Sequence, residues 1–280
     1  MEKAFEIDNL SKSYKDFSLK NINLSLEKGF IMGFIGKNGA GKSTTMNCLL
    51  GITKYDKGSV KVFNKPVENL TVQDKEKLGV VLDGCPFAEV LNVKDIEMIL
   101  AGCYKNWDSA KFNSMCSRFG LPKNKAIKDF STGMRAKLNI ATALCHGAQL
   151  LVLDEATSGL DPVVRDEILG ILQDFVQDEN NSVLISSHIT SDLEKICDYI
   201  AFIKDGEIIF CENKDELMEK YAVVHCKNED IENIDPKAII GSKSNSFSTQ
   251  ALVFKDMVNK DFVMDKPTIE DIMLYYTKEI

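Results

Sequence analysis

One short string constrains this chain more than any other: Gly36, Lys37, Asn38, Gly39, Ala40, Gly41, Lys42, Ser43 and Thr44. An apolar run from Phe30 to Ile35 precedes it and reads as a buried strand, while Met46, Leu49 and Leu50 follow at helical spacing. Strand, glycine-rich turn and helix is the setting in which G-x-x-x-x-G-K-[ST] becomes a phosphate cradle. The glycines let successive N–H groups point into one concavity, and the helix N-terminus brings its positive dipole end to the same place. In such a cradle Lys42 reaches the β- and γ-phosphates, and the Ser43 hydroxyl ligates Mg²⁺. With glycine at about 7% of residues, a chance match arises in roughly one chain per hundred of this length. A nucleoside triphosphate site is expected.

The bulk numbers narrow the setting. A chain of 280 residues holds one large domain and a small appendage. A net charge of -8 and a pI near 5.1 argue against a general grip on nucleic acid, which needs basic surface. No apolar run approaches the ~20 residues that span a bilayer. The first residues, Met1 to Glu6, lack the basic start and apolar stretch of a signal peptide. The 8 cysteines are scattered without a C-x-x-C pair and read as small buried hydrophobes in a reducing compartment. A cytosolic protein is expected.

Along the chain, strands are expected at Ala4 to Ile7, Leu19 to Leu26, Val60 to Phe63 and Leu78 to Leu82. Between residues of about 85 and 135 the texture turns helical. Ile96, Ile99, Leu100 and Cys103 fall on one face, and Phe112, Met115, Cys116 and Phe119 repeat the pattern. Buried-strand texture returns at Leu150 to Leu153 and Ser182 to Ser186. Between them lies a helix with Asp161 as N-cap and Pro162 at its first position. Asp205-Gly206 between two apolar runs is a two-residue hairpin signal. From about residue 221 the tail shows strand-like Ala222 to Cys226 and Ala251 to Phe254. A last helix opens on the capping pair Thr268 and Asp271, with Ile269, Ile272, Met273 and Tyr276 as its apolar face.

Two further stretches carry chemistry. Leu150 to Leu153 ends in Asp154 and Glu155. An Asp at the C-terminal end of a strand beside a phosphate cradle sits where Mg²⁺ lies, and Glu155, pointing elsewhere, is placed to polarise a water. Ser131 is an N-cap before a helix with Leu138, Ala141 and Cys145 on one face, and free N–H groups there make an anion site.

The order of these elements resembles the ATP-binding cassette (ABC) ATPases over roughly residues 3 to 215. Ser131-Thr132-Gly133-Met134 resembles the family's signature loop, normally L-S-G-G-Q, and Ser158-Gly159-Leu160-Asp161 the loop after the catalytic Glu. His188, after Ser186-Ser187, resembles the switch histidine. Tyr14 resembles the aromatic that stacks on adenine; a turn aromatic packing on its own strand is the alternative. The resemblance implies a P-loop NTPase-type α/β fold: a mostly parallel sheet with an antiparallel β part, a helical subdomain at about 85–135, and an ATPase domain at 1–220. A small α+β appendage at 221–280 completes it.

It also implies ATP and Mg²⁺ as the bound groups, and two units facing head to tail. Each ATP is then held by Gly36 to Thr44 of one chain and by Ser131 and Gly133 of the other, with Asp161 beside them. Glu155 orients water, His188 holds the γ-phosphate and water geometry, and Ser43 and Asp154 hold the metal. Where the family usually has a metal-touching Gln, Asp83 stands here: still an oxygen ligand, one methylene shorter and negatively charged. Thr132 and Met134 are departures within the signature.

The leading expectation is the ATPase subunit of a membrane exporter on the cytoplasmic face of the membrane. A separate permease chain would dock near Pro86 to Leu91, and a second ATPase subunit would complete the pair. The S-x-G-M signature, Asp83 and the tail from Pro267 to Ile272 look similar to bacterial exporters of antibiotics, peptides or ions. A soluble ABC protein acting on ribosomes or DNA is the rival. Ribosome-acting members usually carry two cradles, and DNA-repair members separate cradle and signature by long heptad arms. A P-loop kinase leaves the signature and His188 unexplained.

Overall fold

The computed structural model describes residues 2–82, 84–259 and 261–277. The chain opens with antiparallel β1 (Lys3–Ser13) and β2 (Ser18–Glu27), then β3 (Ile31–Ile35), the glycine loop and α1 (Lys42–Leu49). β4 (Lys57–Val62), β5 (Lys65–Pro66), α2 (Val72–Lys75) and β6 (Leu78–Val81) follow. The helical stretch holds α3 (Val93–Cys103), α4 (Ser109–Arg118) and α5 (Thr132–Leu144). Alternation returns with β7 (Leu150–Asp154), α6 (Pro162–Phe175), β8 (Ser182–Ser186), α7 (Thr190–Ile196), β9 (Tyr199–Lys204) and β10 (Glu207–Asn213). The tail is α8 (Lys214–Lys220), β11 (Tyr221–Cys226), β12 (Ile239–Ser244), β13 (Thr249–Phe254), β14 (Val263–Asp265) and α9 (Ile269–Thr277).

The central six-stranded sheet has the order β10-β9-β3-β8-β7-β6. Five of its strands are parallel and β10 returns antiparallel through Asp205-Gly206, whose φ values of 49° and 79° are those of a primed turn. β3, β7 and β8 are buried at every position, as their unbroken apolar texture requires. Alternation divides their side chains between two cores. Met32, Phe34, Val152 and Leu184 face α1 and the antiparallel sheet (order β2-β1-β4-β5), whereas Ile31, Ile35, Leu151, Leu153, Val183 and Ile185 face the helical side.

Parallel register brings the functional strand ends to one edge. Phe34 and Asp154 both pair with Ser186, so the glycine loop, the acidic pair and the segment before His188 leave the sheet at the same level. Ligands of open α/β sheets bind outside this carboxyl edge.

Two expectations needed correction. The face expected on α3 is only partly covered, with Ile96 buried but Ile99 46% exposed and Cys103 exposed as well. In the tail, β12 and β14 join β11 and β13 in a four-stranded sheet that the sequence pattern did not announce. The capping pair of α9 is present, Thr268 and Asp271 bonding reciprocally at 2.9 and 3.0 Å. Its buried face is Ile269, Ile272 and Tyr275, packed in the same core as Leu193 and Ile196 of α7. Tyr276 packs its ring against Phe202 and Phe210, and its hydroxyl lies 2.7 Å from that of Tyr221.

Candidate active site

The glycine loop is shaped by what its neighbours forbid. A Cβ at Gly36 would lie 2.5 Å from the Ile203 carbonyl oxygen, a backbone atom that cannot swing away. Gly41 has φ 116° and a Cβ there would meet Leu19 and Phe17 at 2.5 and 2.9 Å, so both steric space and backbone angle require glycine. Gly206 of the β9–β10 turn donates to the Ala40 carbonyl (3.1 Å) and so pins the loop from outside. Gly41 is also the N-cap of α1, and no side chain among the described residues caps that helix. Its first N–H groups are left to a ligand.

Lys42 is 6% exposed and lies over the loop, donating to the carbonyls of Gly36 (2.7 Å) and Lys37 (3.4 Å). Its Nζ is 3.8 Å from Glu155 Oε1. Asn38, Gly39, Gly41, Lys42, Ser43 and Thr44 line a cleft of about 450 Å³ together with Phe17 and Glu155. Ala40 is buried beneath it.

The acidic pair divides as its environment dictates. Asp154 ends β7, is 6% exposed and accepts a hydrogen bond from the Ser186 hydroxyl at 2.5 Å. The same Ser186 oxygen accepts from the Glu155 amide at 3.0 Å, so one hydroxyl fixes both residues to β8. Glu155 turns out of the strand through φ 52°, a left-handed angle uncommon outside glycine. That turn aims its carboxylate away from Asp154: Oε2 lies 2.6 Å from His188 Nδ1, and Oε1 faces Lys42. Oε1 is buried without a hydrogen-bond partner among the described residues. Ser43 shares the glycine-loop cleft with Glu155, and Asp154 shares the second, neighbouring cleft with it; a hydroxyl and a carboxylate are hard oxygen donors of the kind that suit a divalent cation with retained water. Asp83 lies outside the described residues.

The other expected residues are placed as follows. Ser131 caps α5, its Oγ accepting from the Met134 amide at 3.2 Å. A Cβ on Gly133 would touch Val164 of α6 at 3.9 Å. Neither residue lines the cleft of the glycine loop, although Thr132 and Arg135 share a second cleft with Asp154 and Glu155. Asp161 caps α6, accepting from Val163 and Val164. Tyr14 is 48% exposed, under the Lys12 ammonium, and does not line the cleft. Phe17 lines it instead. Its signal was slight: an aromatic just after Tyr14, in a turn closed by the Tyr14 amide donating to the Phe17 carbonyl. In the sequence Ser186 reads only as the end of a strand, because a serine's bridging role depends on the neighbouring strand.

Behind the site, Thr157, Arg165 and Asp192 form a cluster. Asp192 is 4% exposed and accepts from the Thr157 hydroxyl at 3.0 Å, with Arg165 Nε 3.7 Å away. Burial pushes the Asp192 carboxyl above the usual range, against the pull of Thr157 and of the Arg165, His188 and Lys195 charges.

A strand-edge phosphate cradle facing a buried Asp, a Glu–His pair and a separate capped signature loop defines an ATP-handling α/β protein. Residues 19–158 match the family model described as ABC transporter. The chain is 35% identical over 207 residues to the lantibiotic transport ATP-binding protein SrtF of Streptococcus pyogenes, covering 73% of this chain and 88% of that one. It is 32% identical over 215 residues to the bacitracin transport ATP-binding protein BcrA of Bacillus licheniformis, covering 75% and 69%. A dimeric ATP-binding cassette solved with ADP and phosphate superposes with a TM-score of 0.67 at 23% identity, over 75% of this chain and 98% of that one. The chain belongs to the ABC transporter family, as an ATP-binding ATPase subunit.

Proposed function

We propose that this ATPase drives a membrane exporter of the kind its relatives serve, for antibiotics or peptides. It would work as a pair of ATPase subunits around two ATP molecules on the cytoplasmic face. The observation that carries the reading is the line Lys42, Glu155, His188, with separations of 3.8 and 2.6 Å, at the mouth of the glycine loop. Ser131 and Gly133 stand outside that cleft.

In this reading the site residues divide the labour. The α1 amides and Lys42 bind the triphosphate, with Phe17 the aromatic nearest it. Ser43 and Asp154 would hold Mg²⁺, which when bound offsets the phosphate charge. Glu155, held by Lys42 and His188, orients a water for in-line attack and accepts its proton at Oε1. His188 keeps the carboxylate turned and reaches the γ-phosphate. The signature loop of a second subunit closes the open side, placing a helix N-terminus where charge develops.

No helix among the described residues is long and apolar enough to cross a membrane, so the translocation path belongs to another chain in this reading. The apolar surface of the helical subdomain supports docking there: Val90 is 79% exposed, Met98 70% and Ile99 46%. Large apolar side chains left exposed on one subdomain are what a docking face would cover.

Glu155→Gln tests the reading. ATP binding should persist while turnover falls about 10²- to 10⁴-fold, the range for loss of a general base. The variant should also accumulate as an ATP-bound dimer by gel filtration. Near-normal turnover would remove Glu155 from the chemistry.

A further inference from the structure

We propose that Asp192 is a positioning residue for hydrolysis: with Arg165 it buckles the loop that leaves Glu155 onto the helix that follows His188. The inference rests on the reading of Glu155 as the carboxylate that orients water.

The loop between β7 and α6 begins at Glu155 and ends at the α6 cap, Asp161. Its tip is open, with Gly159 at φ 69° and nothing within 4 Å of a Cβ there. Both shoulders are held from beneath by one pair. Thr157, fully buried, donates to Asp192 Oδ2 at 3.0 Å. Arg165 donates through Nη2 to the Leu160 carbonyl at 3.0 Å. Arg165 Nε, 3.7 Å from the same Asp192 oxygen, has no hydrogen-bond partner among the described residues, so its charge is directed at that carboxylate.

Asp192 lies in the first turn of α7, and its amide donates to the Ile189 carbonyl at 3.2 Å. Ile189 follows His188. Glu155 and His188 are therefore joined twice: directly at 2.6 Å, and through the chain of contacts Thr157, Asp192, Ile189. A buried ion pair adds little net stability, because desolvating both charges offsets their attraction. What it supplies here is geometry, at the junction of the two segments whose separation sets the Glu155–His188 contact. The same contacts tie the loop whose exposed tip is Gly159 to the segment after His188.

The test compares Thr157→Val, which keeps shape and loses the hydroxyl, with Thr157→Ser, which keeps the hydroxyl. Asp192→Ala and Glu155→Gln run in parallel, all in the full-length chain. Turnover, KM, ATP affinity and melting temperature are measured for each. Thr157→Val and Asp192→Ala should lose roughly ten- to a hundredfold in kcat, the cost of a displaced reacting group, with KM within about twofold. Thr157→Ser should recover to within about twofold. Normal kcat in Thr157→Val, an equal loss in Thr157→Ser, or a rise in KM at constant kcat overturns the inference. If Asp192→Ala does not fold, the Thr157 pair decides alone. An inactive Glu155→Gln beside a normal Thr157→Val sinks the positioning role only, whereas a fully active Glu155→Gln sinks the catalytic reading beneath it.

Discussion

The loop before α1 and the loop before α5 both deliver a chain to a helix N-terminus, and their surroundings differ at every level. Before α1, Gly36 and Gly41 are walled in by backbone and apolar side chains, and no side-chain cap takes up the helix amides. Before α5, Ser131 and Thr132 are exposed, and the Ser131 oxygen already accepts from Met134. A serine that accepts in its cap still has its O–H to give. The first loop is thus a rigid set of vacant donors, and the second is a self-satisfied cap with one donor facing outward. A Cβ at Gly36 or Gly41 would meet its neighbours at 2.5 Å, whereas one on Gly133 would meet nothing closer than 3.9 Å.

Variants in the two loops should therefore fail differently. Ser131→Arg should have the largest effect: loss of a charge-stabilising donor costs about 10²- to 10³-fold in turnover. ATP affinity of the isolated subunit should stay unchanged by equilibrium titration, and a parallel loss of affinity would place the signature in the same cleft as the cradle. Lys42→Ala comes next. Removing a hydrogen bond to a charged group, about 1.5–3 kcal/mol, should weaken ATP binding roughly ten- to a hundredfold. Unaltered binding would take Lys42 out of the phosphate site. Gly36→Ala should act on the fold, since overpacking against the Ile203 carbonyl costs about 1–3 kcal/mol and lowers the melting temperature. Ser131→Ala should be smallest in stability, about 1 kcal/mol for a lost N-cap, and an unchanged melting temperature would mean the cap bond carries no weight.

Much of the site was legible because its signals are local. The cradle is written in consecutive residues, Asp161-Pro162 announces its helix, and Asp205-Gly206 announces its hairpin. The tail was only half legible. β12 and β14 are edge strands of a small sheet, and strands of that kind depend on a neighbour for their pattern. On α9 the sequence face named Tyr276, whereas Tyr275 is the more deeply buried, at 6% exposure. Facing α7 on one side and the β9–β10 hairpin on the other widens the buried arc beyond one stripe. Ile99 and Cys103 failed in the opposite sense: an apolar helical face announces burial, and cannot say whether its own chain supplies the cover.

From the amino-acid order alone came the phosphate cradle, the acidic strand end and the alternating α/β plan, because each rests on hydrogen-bonding and packing rules acting within a few residues. Tertiary structure alone decided that Ser186 bridges Asp154 and Glu155, that Phe17 rather than Tyr14 lines the cleft, and that Thr157 and Arg165 meet Asp192. These are contacts between segments far apart in sequence. Parallel register between β7 and β8 sets the Ser186 and Asp192 contacts, the β1–β2 turn brings in Phe17, and no local pattern encodes either.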